Sequence, residues 1–366
     1  MLDNQPIATQ PVLTQPTAPL PVSRPLQWLQ PLQPIQTNQV LATLLDFKST
    51  KLLTWLGRSK STHYSISTIR KRNGSSRTIH NPDQLMRIAQ YKILTKILNN
   101  VAIPAYITAF ERNKSIPDMA ALHVNKEVVI SVDIKDFFHS IKQVHLNEFF
   151  MAMGIDEMPA RTLSEVCTFK SFLPQGALTS PKLANIITAQ TFGPILKEYC
   201  DAQGLTMTIY ADDVTVSSTN PATNVSEILS FVTSTIRSCG FRVNHAKTKV
   251  MWKTNRQYVC GVVVNNKMNM IKKERYKLRA IVHNITKNGV EPEALKSQTD
   301  ATHFIHHIKG RVNWLKQLNS PMGEKYANKL SAYLATITLS QVDAPVVTGP
   351  TSVPEVVGAI AAEPVF

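Results

Sequence analysis

The chain has 366 residues, 43% of them hydrophobic, and a formal net charge of +15. That length allows one large or two modest domains with a full core, and no apolar run reaches the ~18 residues of a membrane-spanning helix. Residues 41–340 hold all but one of the 40 bases and all but four of the 25 acids, a net of +18 between near-neutral ends, and a basic middle of this kind implies an anionic polymer as partner.

The four cysteines, Cys167, Cys200, Cys239 and Cys260, are widely spaced and form no CxxC pair. That excludes a disulfide frame or a zinc ribbon and fits reduced thiols in a cytoplasmic protein. The first residues lack the basic start and apolar core of a signal peptide. The sequons at Asn73, Asn113, Asn224 and Asn284 are therefore read as chance matches.

Residues 1–40 are rich in Pro and Gln and predict a disordered arm, with Trp28 as one apolar spot. Residues 41–60 show apolar positions at helical spacing and predict a short helix ending near Gly57. Residues 63–80 alternate around Asn73-Gly74, a hairpin signature, with one strand ending at Ile69 and the other carrying Arg77 to Ile79. Arg70, Lys71, Arg72 and Arg77 cluster on it. Residues 83–99 predict an amphipathic helix with Asp83 near its start.

Val129 to Lys135 is a β-branched run that reads as a buried strand delivering Asp133 to a surface, with Asp136 three residues on. Residues 142–170 predict helix broken near Gly154. Leu173 to Asn185 reads as a Pro/Gly loop and then a helix with Ser180 as N-cap and Pro181 at its first position, continuing to about residue 200. Leu205 to Ile209, then Tyr210-Ala211-Asp212-Asp213, then Val214-Thr215-Val216-Ser217 predict a hairpin with two carboxylates at its turn. Alternation sends neighbouring strand residues to opposite faces, so both acids serve one site only if the turn twists them together. Such a pair suits a hard divalent cation. A helix over 223–239 and the basic segment Asn244-His245-Ala246-Lys247-Thr248-Lys249 follow.

Taken in order, the acidic strand, the Pro174-Gln175-Gly176 loop, the Tyr-Ala-Asp-Asp hairpin and the basic follow-on resemble a reverse transcriptase. Met119-Ala120-Ala121-Leu122-His123 is one residue from the Asn-Ala-x-x-His signature common in bacterial retron reverse transcriptases. Val259-Cys260-Gly261 is one residue from their Val-Thr-Gly, and Ala109-Phe110 matches part of their Ala-His-Gly-Phe. The resemblance covers about residues 41–335.

It implies an α+β right-hand polymerase with an antiparallel sheet. The divisions are a disordered arm (1–40), fingers (41–130), palm (131–265, with part of the fingers at about 151–180), a helical thumb (266–340) and a disordered tail (341–366). Between Lys253 and Lys316 stand thirteen Lys and Arg against four acids, which suits a thumb gripping phosphates; His303, His306 and His307 lack metal-ligand partners at suitable spacing.

The resemblance assigns Asp133 and Asp212 as bridging ligands of two Mg2+ ions and Asp213 as the third carboxylate. Lys247 would protonate the leaving pyrophosphate, with Lys249 as the alternative. Arg77, and second to it Lys71, would lie on the triphosphate. Phe138 would sit under the sugar and select deoxynucleotides, Gln175 would touch the nucleotide, and Asp136 would belong to the same nucleotide site. The implied activity is RNA-directed DNA polymerisation on a structured non-coding RNA that serves as template and primer. The product is a branched RNA–DNA hybrid (msDNA), made from dNTPs, within an antiphage system with a separate effector protein and no membrane partner. Two alternatives stand beside it: a defence-associated or abortive-infection reverse transcriptase with untemplated synthesis, and a catalytically dead RNA-binding scaffold.

Overall fold

The computed structural model describes residues 34–70, 74 and 76–342, with side chains to residue 336 apart from that of Lys60. Lys71, the arm before residue 34 and the tail after 342 lie outside the described residues. The chain divides into two compact units, Met1–Ile271 and Lys272–Phe366.

The first unit opens with α1 (Asn38–Leu44) and α2 (Thr50–Arg58). The single helix expected over 41–60 is thus two. Asp46 turns left-handed at φ +52 and ends the first; the Ser49 side chain then accepts from Lys51 N at 3.2 Å and starts the second. The expected arm also gives way to structure earlier than residue 41. Ile35 is buried and forms a parallel bridge with Ile155, because an aliphatic side chain gains more in a core than in water.

β1 (Tyr64–Arg70) and β2 (Ser76–Pro82) form the basic hairpin, Ile69 opposite Arg77. Asp83 caps α3 (Gln84–Lys96), accepting from Met86 N at 2.8 Å, and its other oxygen lies 2.6 Å from His63 Nδ1. One carboxylate therefore anchors the base of the hairpin to the helix start. α4 (Ile116–Ala121), β3 (Val128–Lys135), α5 (Phe137–Ser140), α6 (Gln143–Ala152) and α7 (Glu157–Cys167) follow.

α8 (Ser180–Gln190) and α9 (Phe192–Ala202) replace the one helix expected over 181–200. Thr191 breaks it at φ −113, ψ −111. Pro194 has no N–H to continue the ladder, and a Cβ on Gly193 would stand 2.6 Å from the Thr188 carbonyl. The N-cap of α8 is Thr179, one residue before the expected Ser180, and Pro181 still falls in the first turn.

β4 (Thr206–Tyr210), β5 (Asp213–Ser218), α10 (Val225–Ser238), β6 (Arg242–Val243) and β7 (Lys249–Trp252) complete the main sheet, and β8 (Tyr258–Val259) and β9 (Val262–Val263) make a small hairpin. The sheet runs β4-β5-β3, with β6 and β7 both on the far side of β3, and every pairing is antiparallel. β3 is central. Val128, Val129, Ile130, Val132 and Ile134 are all buried, so both of its faces are covered up to its last residues.

The second unit comprises α11 (Lys272–Asn288), α12 (Glu291–Lys296), α13 (Ala301–Leu318) and α14 (Ser320–Val342). Leu278, Ile281, Val282 and Ile285 form the buried stripe of α11, and Phe304, Ile308, Val312 and Leu315 that of α13. Arg311 reaches Glu274 at 2.8 Å. His303 bonds the N-cap Asp300. Among the described residues no helix is long and apolar enough to cross a membrane.

Candidate active site

Two segments that lie 82 and 114 residues further along the chain meet the end of β3. Asp133 lies directly opposite Asp213 in the β3–β5 register, and directly opposed residues project on one face. Ala211 turns left-handed at φ +54, which reverses the chain between β4 and β5. Ile134 N then donates to the Asp212 carbonyl at 2.7 Å, and Asn244 N donates to the Asp133 carbonyl at 2.8 Å. The backbone of β3 thus fixes both neighbours of Asp133. Ser131, two residues earlier and so on the same face, donates to Asp213 Oδ1 at 2.9 Å. Lys247 Nζ sits 2.9 and 3.1 Å from the two oxygens of Asp133.

Burial raises Asp213 to about 6; the charges of Asp212 and Asp133 add to the rise, while the Ser131 bond and Lys249 oppose it. Asp212 is raised by burial and by Asp133, and pulled down by Lys247 and Arg77. The Cys260 thiol is pushed up to about 12 by burial and by Asp213 and Asp212. Cys260 and Gly261 take φ +45 and +84 at the tip of the β8–β9 hairpin, as a two-residue turn needs. A cavity of about 190 Å³ is lined by Asp133, Asp213, Lys247, Lys249, Tyr258 and Cys260, among others. Lys249 bonds the Tyr258 hydroxyl and lies 4.8 Å over its ring centroid.

This donor set fits a hard divalent cation. Burial, with the neighbouring carboxylates adding to it, holds the protons of Asp212 and Asp213 above the usual range, a deficit that a cation would cancel. The thiol beside them is held protonated and offers no soft thiolate. Among the described residues no group of three or more His, Cys, Asp or Glu is by itself arranged to hold a metal ion.

The other residues expected at the site surround this centre. Arg77 is exposed on β2, and its charge reaches Asp212. The Gln175 carbonyl accepts from His80 N at 2.7 Å, which docks the Pro-Gln-Gly loop on the same strand three residues from Arg77. Gly176 has φ +118, and a Cβ there would come 2.6 Å from the His80 carbonyl. Phe137 is buried and Phe138 half-buried, so only the second is available to the site. Phe138 lies 6.4 Å from Phe110, which lies 6.3 Å from Tyr210. Asp136 is left-handed and exposed and pairs with Arg242 at 3.3 Å.

Two supports escaped the sequence reading. Ser131 is one; its signal was its position two residues before Asp133 in a strand. His123, noted only as part of a signature, is the other. It is fully buried, with Nδ1 2.7 Å from Ser217 Oγ and Nε2 2.8 Å from Thr208 Oγ1. One imidazole thereby ties together both strands of the acidic hairpin. Burial lowers it to about 4, so it is neutral and one ring nitrogen donates while the other accepts.

Residues 69–264 match the family described as reverse transcriptase (RNA-dependent DNA polymerase). Relatives include the Retron Ec86 reverse transcriptase of Escherichia coli, 30% identical over 299 residues, 81% of this chain and 87% of the relative. The Retron Mx65 reverse transcriptase of Myxococcus xanthus is 28% identical over 293 residues, covering 74% of this chain and 65% of the relative. The Retron Mx162 reverse transcriptase of the same organism is 31% identical over 329 residues, 78% and 67% respectively.

Proposed function

We propose, from the premise that this chain belongs to the bacterial retron reverse transcriptases and is an RNA-directed DNA polymerase, that it copies part of a structured RNA into a branched RNA–DNA hybrid. The single observation that carries the site is the in-register pair Asp133 and Asp213, with the Asp212 carbonyl bonded to the residue after Asp133. The hairpin and α1–α4 serve as fingers, the main sheet and its helices as palm, and α11–α14 as thumb.

Asp133 and Asp212 would hold two Mg2+ ions, with Asp213 beside them. The metals would lower the pKa of the primer hydroxyl and neutralise the triphosphate. The primer hydroxyl gives its proton to solvent, its oxygen forms a bond to the α-phosphorus, the bond to the bridging oxygen breaks, and pyrophosphate leaves. Lys247 acts as general acid and gives the leaving pyrophosphate its proton. To do so it exchanges Asp133 for phosphate, a short swing for a flexible side chain. Arg77 binds the triphosphate with paired donors. Gln175, held against β2, contacts the nucleotide, and Asp136 lies at the edge of the same site. Phe138 lies under the sugar, where a 2′-hydroxyl would clash. The RNA primes from one of its own 2′-hydroxyls, and the hybrid acts in antiphage defence with a separate effector protein.

The test is to express the chain with its native flanking DNA and to analyse the nucleic acid bound to the purified protein on a denaturing gel. A discrete DNA that shifts after RNase or debranching is the expected result, absent for Asp212→Ala. Heterogeneous DNA with no match to the RNA would favour untemplated synthesis. Bound RNA without DNA from wild type and Asp212→Ala alike would sink the polymerase reading.

A further inference from the structure

We propose that α10 and residues 244–250 form a second site, outside the carboxylate cleft, that binds a phosphate group. Ser230, Thr233, Ser234 and Arg237 recur on α10 at spacings that place them in one stripe. Across from them stand His245, Thr248 and Val250. Together with Leu229 they line an open cavity of about 630 Å³. Arg237 donates to His245 Nε2 at 2.8 Å, so the imidazole carries its proton on Nδ1 and the guanidinium keeps further donors.

The hydroxyls divide by role. Ser234 donates to the Phe231 carbonyl at 3.0 Å and Thr248 to the Asn244 carbonyl at 3.1 Å. That leaves Ser230 and Thr233 as donors toward the cavity. Among the described residues no Asp or Glu lines it; Glu227, one turn back on α10, is bonded by Asn224. A guanidinium, an imidazole N–H and two hydroxyls without a carboxylate form a donor set for an anion, and a guanidinium suits phosphate above others. The wall opposite α10 has a second use. Lys247 and Lys249 of the same short segment line the carboxylate cleft, while His245 and Thr248 line this cavity.

The phosphate comes either from the backbone of the bound RNA, where such contacts orient the chain without reading sequence, or from a free nucleotide. The RNA source rests on the reading that this protein binds RNA.

The test uses the full chain, freed of nucleic acid by nuclease and high salt, as wild type, Arg237→Gln and the double variant Ser230→Ala/Thr233→Ala. Affinity for a single-stranded RNA of mixed sequence is measured across salt concentrations, and the ring signals of His245 are followed during titration with inorganic phosphate and with AMP. An RNA backbone site predicts that Arg237→Gln weakens RNA binding roughly tenfold and lowers the salt slope by about 0.7. The double variant weakens binding with little change of slope, and primer extension on a saturating template-primer stays unchanged. A His245 shift with phosphate or AMP that Arg237→Gln abolishes, with RNA affinity unaltered, supports the site with a free nucleotide as its source. Wild-type RNA binding matched by both variants, without any phosphate response, overturns the proposal. Wild type that fails to bind RNA fails the polymerase reading instead.

Discussion

Lys247 grips both oxygens of Asp133, at 2.9 and 3.1 Å. The cation occupies the carboxylate proposed as a metal ligand, so the lysine and the metal compete for it. Lys247→Met should slow nucleotide addition by about 10²–10⁴, the usual worth of a general acid, and should also lower the Mg2+ concentration needed for half-maximal rate. Single-turnover primer extension titrated with Mg2+ reads both effects. An unchanged rate, or a higher metal requirement, would show that the contact is only structural.

Asp213 is raised by burial to about 6 from an unfolded value of 3.8. A folded carboxyl with a raised pKa favours the protonated form. Stability from this group is therefore full below about pH 4 and falls as the pH rises through 6. Asp213→Asn should stabilise the metal-free protein above pH 6 by on the order of 2–3 kcal/mol, with no gain below pH 4. Thermal melts in EDTA at both extremes check this, and an equal effect at both would disprove it.

His123 titrates in the opposite sense. Its folded value is lowered by burial to about 4 from 6.5, so the unfolded chain takes up the proton first. The stability is full above pH 6.5 and is lost as the pH falls toward 4, at up to about 1.4 kcal/mol per pH unit. His145, whose Nδ1 accepts from Lys142 N at 3.1 Å, is also lowered to about 4 and contributes in the same direction. His123→Asn should remove about half of this acid sensitivity and also reduce polymerisation, because the acidic hairpin loses its cross-strand tie. Denaturant midpoints measured against pH would show the change of slope; an unaltered profile would remove His123 from the account.

Gly176→Ala should raise KM for dNTPs at little change in KM for template. The φ of +118 disfavours any side chain, and the new methyl would meet the His80 carbonyl at 2.6 Å, pushing Gln175 off β2. A variant with normal KM values would mean that the loop position does not matter to nucleotide binding.

Phe138→Ala should raise ribonucleotide incorporation about tenfold relative to deoxynucleotide. The neighbouring Phe137 is the control: buried at 3% exposure, its truncation should lower the melting temperature without altering sugar choice. Equal effects on selectivity from both would place neither ring under the sugar.

Much of the site was legible because its acids sit where local chemistry is loud. Asp133 ends a β-branched run, and Asp212 and Asp213 interrupt another. The elements that failed to read correctly did so for local backbone reasons. Asp46 ends a helix by a left-handed residue without a glycine to announce it, and Thr191 breaks one before Gly193 and Pro194. Ser131 and His123 were opaque for a different reason. Their partners, Asp213, Thr208 and Ser217, lie 82 to 94 residues away, and no spacing rule on one chain reveals a hydrogen bond across a sheet.

The central place of β3 bears on how the protein is born. Ile130 lies opposite Val216 on one side and Val250 on the other, so the strand leaves the ribosome long before either neighbour is made. Until then a β-branched segment, apolar on both faces, stands open to other chains. Synthesis to at least Trp252 is needed before the strand is enclosed. Pairings this distant in sequence form slowly, so the nascent chain passes a window in which this strand is open to pairing with other chains.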